Sequence, residues 1–344
     1  MPTTLKDIAR RSGFSVTTVS RALGGFSDVS ESTRAQILQI AEELGYEPNQ
    51  IARQLQRKRT NTIGLVMPAR WHTLDDDFFS LLLKGITYAA ARYQYDVLIS
   101  ATNPEASEMH AYRRMVGGNR VDGMILARTY RKDARIEYLQ AAKHPFIVHG
   151  RSAPGETSDF PYIDVDSQSG LKLLVTHLIS IGYNRIGLIL PPLQLAFTDY
   201  RLAGYRAALT EAGIPFDSAF VTNSDLSYAG GLQSTRELLT RNVGLNAIVG
   251  CNDWMALGAM TAAQEAGLTV GKDFAIAGYD DIPAAARATP PLTTVRQPIY
   301  EVGELLTQRL IQLINGDSTV QYHELIQPEL VVRESSLPLT ASGI

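Results

Sequence analysis

The chain contains a single cysteine, Cys251, so no intrachain disulfide can staple it, and a reducing compartment suits it. No apolar run approaches the roughly 18 residues that a membrane-spanning helix needs. Near the start stand Thr4, Lys6 and Asp7, where an export signal would be hydrophobic, so a cytoplasmic protein is expected. Motifs that announce catalysis are missing as well: no G-x-S-x-G, no P-loop, no H-E-x-x-H and no G-x-G-x-x-G. Neither triad hydrolysis nor nucleotide cleavage has a local signature, and the expectation is a protein without catalysis and without a cofactor. Asp75, Asp76 and Asp77 form an acidic run, but consecutive carboxylates on a loop lack metal-ligand spacing. A helix start before Phe78 accounts for them, and no metal site is expected.

What the chain does have is length and an uneven distribution of charge. At 344 residues and 45% hydrophobic it can bury more than one core. The net charge of −3 argues weakly against a nucleic-acid partner until its placement is considered. Residues 1–60 hold nine lysines and arginines against six acidic residues, while the rest holds 23 against 29. A basic head on an acidic body suits phosphate contacts at one end only.

The head reads as three short helices. Thr4 followed by Asp7 suggests a capped start, with Leu5, Ile8 and Ala9 as an apolar stripe over a helix of about Leu5–Arg11. Gly13 can take a left-handed turn and Ser15 can cap a second helix, whose Val19, Ala22 and Leu23 face inward. That leaves Val16, Thr17, Ser20 and Arg21 facing out. A third helix runs from Ser30 and Thr33 through Ile37, Ile40, Ala41 and Leu44 to a stop at Gly45. After Pro48, Asn49 can cap about two turns in which Ile51, Ala52 and Leu55 share one face. A helix that short is marginal alone and needs a partner for its apolar face; a flexible basic linker is the other reading.

From Thr62 the pattern changes to apolar strands alternating with helices. Candidate strands are Ile63–Met67, Val97–Ser100, Gly123–Leu126, Phe146–His149, Ile186–Leu190, Ala247–Gly250 and Ala275–Gly278. Crossover helices such as Leu81–Tyr93, Gly170–Ile181 and Arg201–Ala212 lie between them. The body is therefore expected to be doubly wound α/β, with ligand chemistry just beyond the strands' carboxyl ends. Those places hold Trp71, Asp77, Phe78 and Phe79, then His149 and Arg151, Asn252 and Trp254, and Asp280 with Asp281. Carboxylate, amide and guanidinium groups beside flat rings are what a polyol needs, although caps and core aromatics would give the same residues.

The run from Thr4 to Leu23, continued by Asn49–Leu55 and Thr62–Pro68, resembles the LacI family of bacterial transcriptional regulators, and the resemblance covers nearly the whole chain. It implies an all-α helix-turn-helix domain over 1–46 and a hinge helix with linker over 47–60. It also implies an α/β body of two doubly wound lobes, like a type I periplasmic binding protein: 61–162 with 294–325, and 163–293 with 326–337. Crossings are expected near Tyr162–Asp166, Pro290–Val295 and Ile326. By the same resemblance Thr4, Lys6, Ser15, Val16, Thr17, Ser20 and Arg21 face an operator DNA, with Val16 and Thr17 reading bases. Asn49, Ile51, Ala52 and Leu55 form the hinge, with Leu55 wedged into the minor groove. Arg201, Asn252 and Asp280 hold the effector, Gln297 joins them, and Phe78 and Phe79 match an aromatic pair. Gly150 stands where some sugar-responsive members carry an aspartate, with His149 or Arg151 as substitutes. Leu226 stands where some carry a stacking ring, with Tyr228 or Trp254 as substitutes.

The function implied is a repressor that binds a near-palindromic operator as a homodimer under control of a small molecule, a sugar or glycoside. A sugar-binding transport or sensor protein would share the two-lobed body but lack the head. A sugar-modifying enzyme would need a general acid and base in the cleft. Beyond Ser336 no heptads follow, which favours a dimer over a tetramer.

Overall fold

A computed structural model describes residues 3–46, 59–67, 77–101, 108–241, 243–317 and 321–338. The chain divides into two compact units, residues 1–60 and 61–344. Asn49, Ile51, Ala52, Leu55 and Trp71 lie outside the described residues.

The first unit is three helices whose ends are set by local chemistry. Helix α1 (Leu5–Ser12) starts with a reciprocal box in which Asp7 accepts from the Thr4 backbone N–H at 3.0 Å. It ends at Gly13, whose φ of 78° is left-handed. Helix α2 (Val16–Gly24) is capped by Ser15, which accepts from Thr18 N–H at 3.0 Å. Helix α3 (Glu31–Glu43) is capped by Ser30, which accepts from Thr33 N–H at 3.2 Å. Such caps contribute about 1 kcal/mol each. Ile8, Val19, Ala22, Ile37 and Ala41 form the buried core, and Leu5, Ala9, Leu23, Ile40 and Leu44 pack around it.

The second unit has two parallel sheets. Strands β1 (Thr62–Met67), β2 (Asp96–Ala101), β3 (Gly123–Ala127), β4 (Phe146–His149), β5 (Tyr162–Val165) and β11 (His323–Ile326) form a six-stranded sheet in the order β11-β5-β4-β3-β1-β2. Helices α4 (Asp77–Arg92), α5 (Glu108–Val116), α6 (Ala134–Ala141) and α12 (Ile299–Ile314) belong to this lobe. The other sheet, ordered β7-β6-β8-β9, is built from β6 (Ile186–Leu190), β7 (Val221–Asn223), β8 (Ala247–Gly250) and β9 (Ala275–Ala277). Around it lie α7 (Ser167–Ser180), α8 (Phe197–Glu211), α9 (Tyr228–Thr240), α10 (Asp253–Glu265) and the short α11 (Pro283–Arg287). Strands β10 (Thr294–Arg296) and β12 (Glu329–Val331) pair antiparallel, tying together the two return passages between lobes.

The segment Tyr162–Val165 is a strand of the first sheet and not yet a crossing. Ile163 and Val165 are buried, and β5 is hydrogen-bonded between β4 and β11. The chain leaves that lobe at Asp166, whose carboxylate accepts from Ser169 N–H at 3.2 Å and starts α7. Helices α4, α7 and α8 all begin earlier than their apolar stripes suggested, at Asp77, Ser167 and Phe197.

Three helix pairs, α4 with α12, α7 with α8 and α9 with α10, make the closest helix contacts in the body. Each meets through glycine. A Cβ at Gly85 would overlap the Tyr300 carbonyl, one at Gly204 the Gln168 carbonyl, and one at Gly258 the Tyr228 carbonyl. The helices therefore touch backbone to backbone.

Candidate functional site

The lining of the principal cleft gathers around the carboxyl ends of the strands. Arg128 and Thr129 come after β3, His149 and Gly150 end β4, and Asp164 and Ser167 come from β5 and the start of α7. Phe197 and Arg201 sit on α8, Leu226 before α9, Asn252 after β8, Asp280 after β9 and Gln297 after β10; Phe78 closes the ring from α4. The cleft encloses about 500 Å³ of space between its walls, open solvent at its mouth included.

Arg201 is the centre of the charged wall. It is only 5% exposed, donates to the Cys251 carbonyl, and lies 4.0 Å from a carboxylate oxygen of Asp280. Its guanidinium stacks between rings, 4.6 Å from the centre of Phe197 and 4.0 Å from that of Tyr279. Among the described residues its Nε has no hydrogen-bond partner. Burial pushes the neighbouring Cys251 thiol up to about 12, which leaves it inert. Asp280 accepts from the Gln297 amide at 2.6 Å. Its φ of 115° and that of Asp281, 57°, are unusual for residues with side chains. Asp281 is held outside the cleft by Arg296 at 2.8 Å and Arg333 at 2.6 Å, so the two adjacent aspartates have separate tasks.

Asn252 caps α10 by accepting from Met255 N–H at 2.8 Å, and its amide donates to the Leu226 carbonyl at 2.8 Å. The turn-holding use and the cleft-lining position therefore belong to one side chain. On the opposite wall Phe78 lies 5.4 Å from His149, and the Arg128 guanidinium sits 5.1 Å from the Phe78 ring centre. His149 is buried, which lowers its pKa and keeps the imidazole neutral, and its Nε2 has no partner among the described residues.

Of the effector residues expected from sequence, Phe78, His149, Arg201, Asn252, Asp280 and Gln297 meet at this cleft. Asp77, Phe79, Arg151 and Trp254 do not line it. Phe79 is a core residue at 3% exposure: it neighbours Phe78 on α4, and successive helical residues point about 100° apart. Trp254 packs against the second lobe's core, and Asp77 opens α4. Arg151 stands behind the wall, donating to Asp164 at 2.8 Å. Tyr228 is exposed and bonds Thr261 at 2.6 Å, so Phe197 supplies the ring in its place.

Gly150 explains the missing aspartate. Its φ is 121°, and a Cβ there would sit 2.9 Å from Thr129 Oγ1. The carboxylate on this wall comes instead from Asp164, one strand over. Alternation in Tyr162-Ile-Asp-Val could have signalled it, had the segment been read as a strand.

Contacts also bridge the two lobes beside Thr129, one of the lining residues. Ala196 N–H donates to Thr129 O at 2.9 Å and Arg131 N–H to Gln194 O at 3.0 Å, while Arg131 and Asp199 form an ion pair. Tyr200 donates to the Ser152 carbonyl at 2.8 Å under the Arg151 guanidinium.

Beneath the cleft, Asp253 is fully buried, accepting from Ile282 N–H at 2.8 Å and the Thr294 hydroxyl at 2.6 Å. Burial first, then the nearby Asp280 charge, raises its pKa well above the ordinary carboxylate value. A raised folded-state pKa adds stability below the unfolded value, and that stability is lost as pH rises through the folded one. Asn can accept from Ile282 N–H through its Oδ1 and donate its Nδ2 to the Thr294 hydroxyl, without the ionisation. Asp253→Asn is therefore expected to raise Tm by a few degrees near neutral pH, with a smaller gain at about pH 5 than at about pH 8. Thermal unfolding at both values checks it, and a loss at both would contradict the account.

In the first unit, Thr4, Lys6, Ser15, Val16, Thr17 and Arg21 are exposed and Ser20 is half-buried. Val16 leaves 42% of its surface bare, on a helix whose other valine is buried. No described helix is long and apolar enough to cross a membrane, and no metal-binding cluster occurs among the described residues.

Residues 4–49 match the model for bacterial regulatory proteins of the lacI family, and residues 175–336 match that for a periplasmic binding protein-like domain. The chain is 36% identical over 341 residues to the HTH-type transcriptional regulator AglR of Rhizobium meliloti (strain 1021), covering 98% of this chain and 95% of that protein. It is 32% identical to the HTH-type transcriptional regulator CelR of Thermobifida fusca, covering 96% and 98%. Among solved structures, a lac repressor dimer bound to operator and the anti-inducer ONPF aligns with TM-score 0.84 at 31% identity, over 98% of this chain and 100% of that one. A CelR–cellobiose complex aligns with TM-score 0.75 at 31% identity, over 97% and 99%. These relatives are named regulators and repressors and not enzymes, which sets aside the sugar-modifying reading. With a helix-turn-helix head, a two-lobed α/β body and such likeness over nearly its full length, the chain belongs to the LacI family of bacterial transcriptional regulators.

Proposed function

We propose that the chain is a repressor that binds a near-palindromic operator as a homodimer, its DNA affinity set by a neutral sugar or glycoside held in the cleft. The observation that carries the reading is the convergence of Arg201, Asp280, Asn252 and Gln297 with the rings of Phe78 and Phe197 around one cleft. Donors and acceptors in fixed directions beside flat apolar faces match a pyranose or furanose ring. The cellobiose complex of one relative supports a sugar, and the operator complex of another supports a DNA-bound dimer. A partner of this kind places the work of the chain in the cytoplasm. Ligand between the lobes favours one lobe orientation, and in a dimer that orientation sets the spacing of the two heads.

The test is a thermal-shift screen of the full chain against mono- and disaccharides, aryl glucosides and purines, followed by operator binding with each hit. A true ligand raises apparent stability by about 2.7 kcal/mol at a hundredfold excess over its Kd. A flat sugar series, or a hit that leaves DNA affinity unchanged, rejects the sugar-control reading.

The bare methyl groups of Val16 and Thr17 suit thymine C5-methyls. Val16→Gln is expected to change which base is preferred at one position of each half-site, whereas Lys6→Ala should weaken all sequences alike and flatten the salt dependence by about one unit. Selection from a random duplex pool and salt titration separate the two; uniform effects from both would refute the base-reading assignment.

A further inference from the structure

Arg21 already has a partner before any DNA arrives. Its Nη2 lies 2.6 Å from Asp28 Oδ2, and the guanidinium carbon sits 5.2 Å from the centre of the Phe26 ring. The loop that brings these residues back to α2 is built for that approach. Gly25 takes φ 79°, and the Phe26 N–H returns to the Arg21 carbonyl at 3.1 Å. Arg34 of α3 donates to the Phe26 carbonyl at 2.5 Å, and the Phe26 ring lies against Gly24, where a Cβ would be 2.8 Å from it.

The ion pair is open to water, with the side chains 46% and 51% exposed, so its contribution to folding is small. Its effect on recognition is larger. A guanidinium carries five donors in a rigid fork, and one carboxylate occupies only part of it. Arg21 follows Thr17 by one turn of α2, and both are exposed. The nearby negative charge also offsets the pull of backbone phosphates, which read no sequence.

We propose that Asp28 is a positioning residue for DNA recognition: it holds the Arg21 fork so that its free edge meets the O6 and N7 acceptors of a guanine, and keeps it from collapsing onto phosphate. This rests on the reading of α2 as the base-reading helix. In consequence the operator half-site carries a guanine whose recognition depends on two side chains, one of which never touches DNA.

The experiment uses the full chain and a random-sequence duplex pool, with wild type, Arg21→Ala, Asp28→Asn, the double variant, and Glu42→Gln as a control that removes the same charge from α3. Wild type is expected to enrich a guanine at one position per half-site. Asp28→Asn should lose about tenfold of that preference. It should also bind a fixed non-operator duplex more tightly, with a salt slope steeper by about one unit than for Glu42→Gln. In the Arg21→Ala background, Asp28→Asn should do no more than Glu42→Gln does. Thermal unfolding of each variant verifies an intact fold. Equal guanine preference in wild type and Asp28→Asn, or an Asp28→Asn effect that persists without Arg21, overturns the proposal while leaving the DNA reading standing. A wild-type pool with no enrichment overturns the DNA reading, and this inference with it.

Discussion

Replacing Arg201 with alanine is expected to erase the response to effector while leaving operator binding in place. The guanidinium is buried, paired with Asp280 and set beside the rings of Phe197 and Tyr279, and among the described residues its Nε has no hydrogen-bond partner. Truncating a buried charged hydrogen-bonding partner costs about 2–4 kcal/mol, so effector affinity should fall roughly 30- to 700-fold. The head lies in a separate compact unit with its own core, and it keeps its outward face. A second consequence follows from Asp280, which would lose its cation while remaining near the buried Asp253. The body should therefore also lose several degrees of Tm. Arg201→Lys restores a charge but not the fork or the stacking, so it should recover stability better than affinity. Thermal shift with a saturating sugar hit, alongside DNA binding by anisotropy, separates the two effects. Full ligand response in Arg201→Ala would place the effector elsewhere.

Gly85→Leu is expected to be the most damaging single change in the body. Its Cβ position is already taken by the Tyr300 carbonyl, and the facing Gly303 is equally tight against the Leu82 carbonyl. No rotamer relieves a clash that begins at Cβ; α4 and α12 must separate along their whole contact. Overpacking of this kind costs about 1–3 kcal/mol where the backbone can shift, and more than that is expected at a backbone-to-backbone crossing. Lys84→Leu, one residue away on the same helix and exposed, should cost less than about 0.5 kcal/mol. Urea unfolding of the two variants measures the contrast. Comparable midpoints would mean that the helices are not locked together at Gly85.

How much of this was visible beforehand depended on how local the cause was. Thr4, Ser15, Ser30 and Gly13 were legible because a cap or turn needs only neighbours in the chain. Asn252 and Asp280 were legible as cleft residues because parallel α/β topology gathers the ends of buried strands at one edge, whereas Arg201, inside a helix, and Gln297, after a strand too short to read, were expected only from the family resemblance. Strands β5, β7, β10, β11 and β12 were not, since each is three or four residues long without a continuous apolar run and is fixed by distant pairing partners. Asp164 went unread along with β5. Phe79 and Trp254 looked like ligand aromatics, but the phase of their helices turns them into the core. The hold of Asp28 on Arg21 depends on a loop doubling back through seven residues, which no pattern along the chain encodes.

The clasp across the cleft bears on time as well as affinity. A molecule enclosed behind Ala196, Gln194 and the Arg131–Asp199 pair cannot leave until those contacts part together. Its residence is then governed by how often the lobes gape, and not by the strength of its own hydrogen bonds. The protein's own opening, and not the ligand alone, would then help to time how long a bound state outlasts its cause.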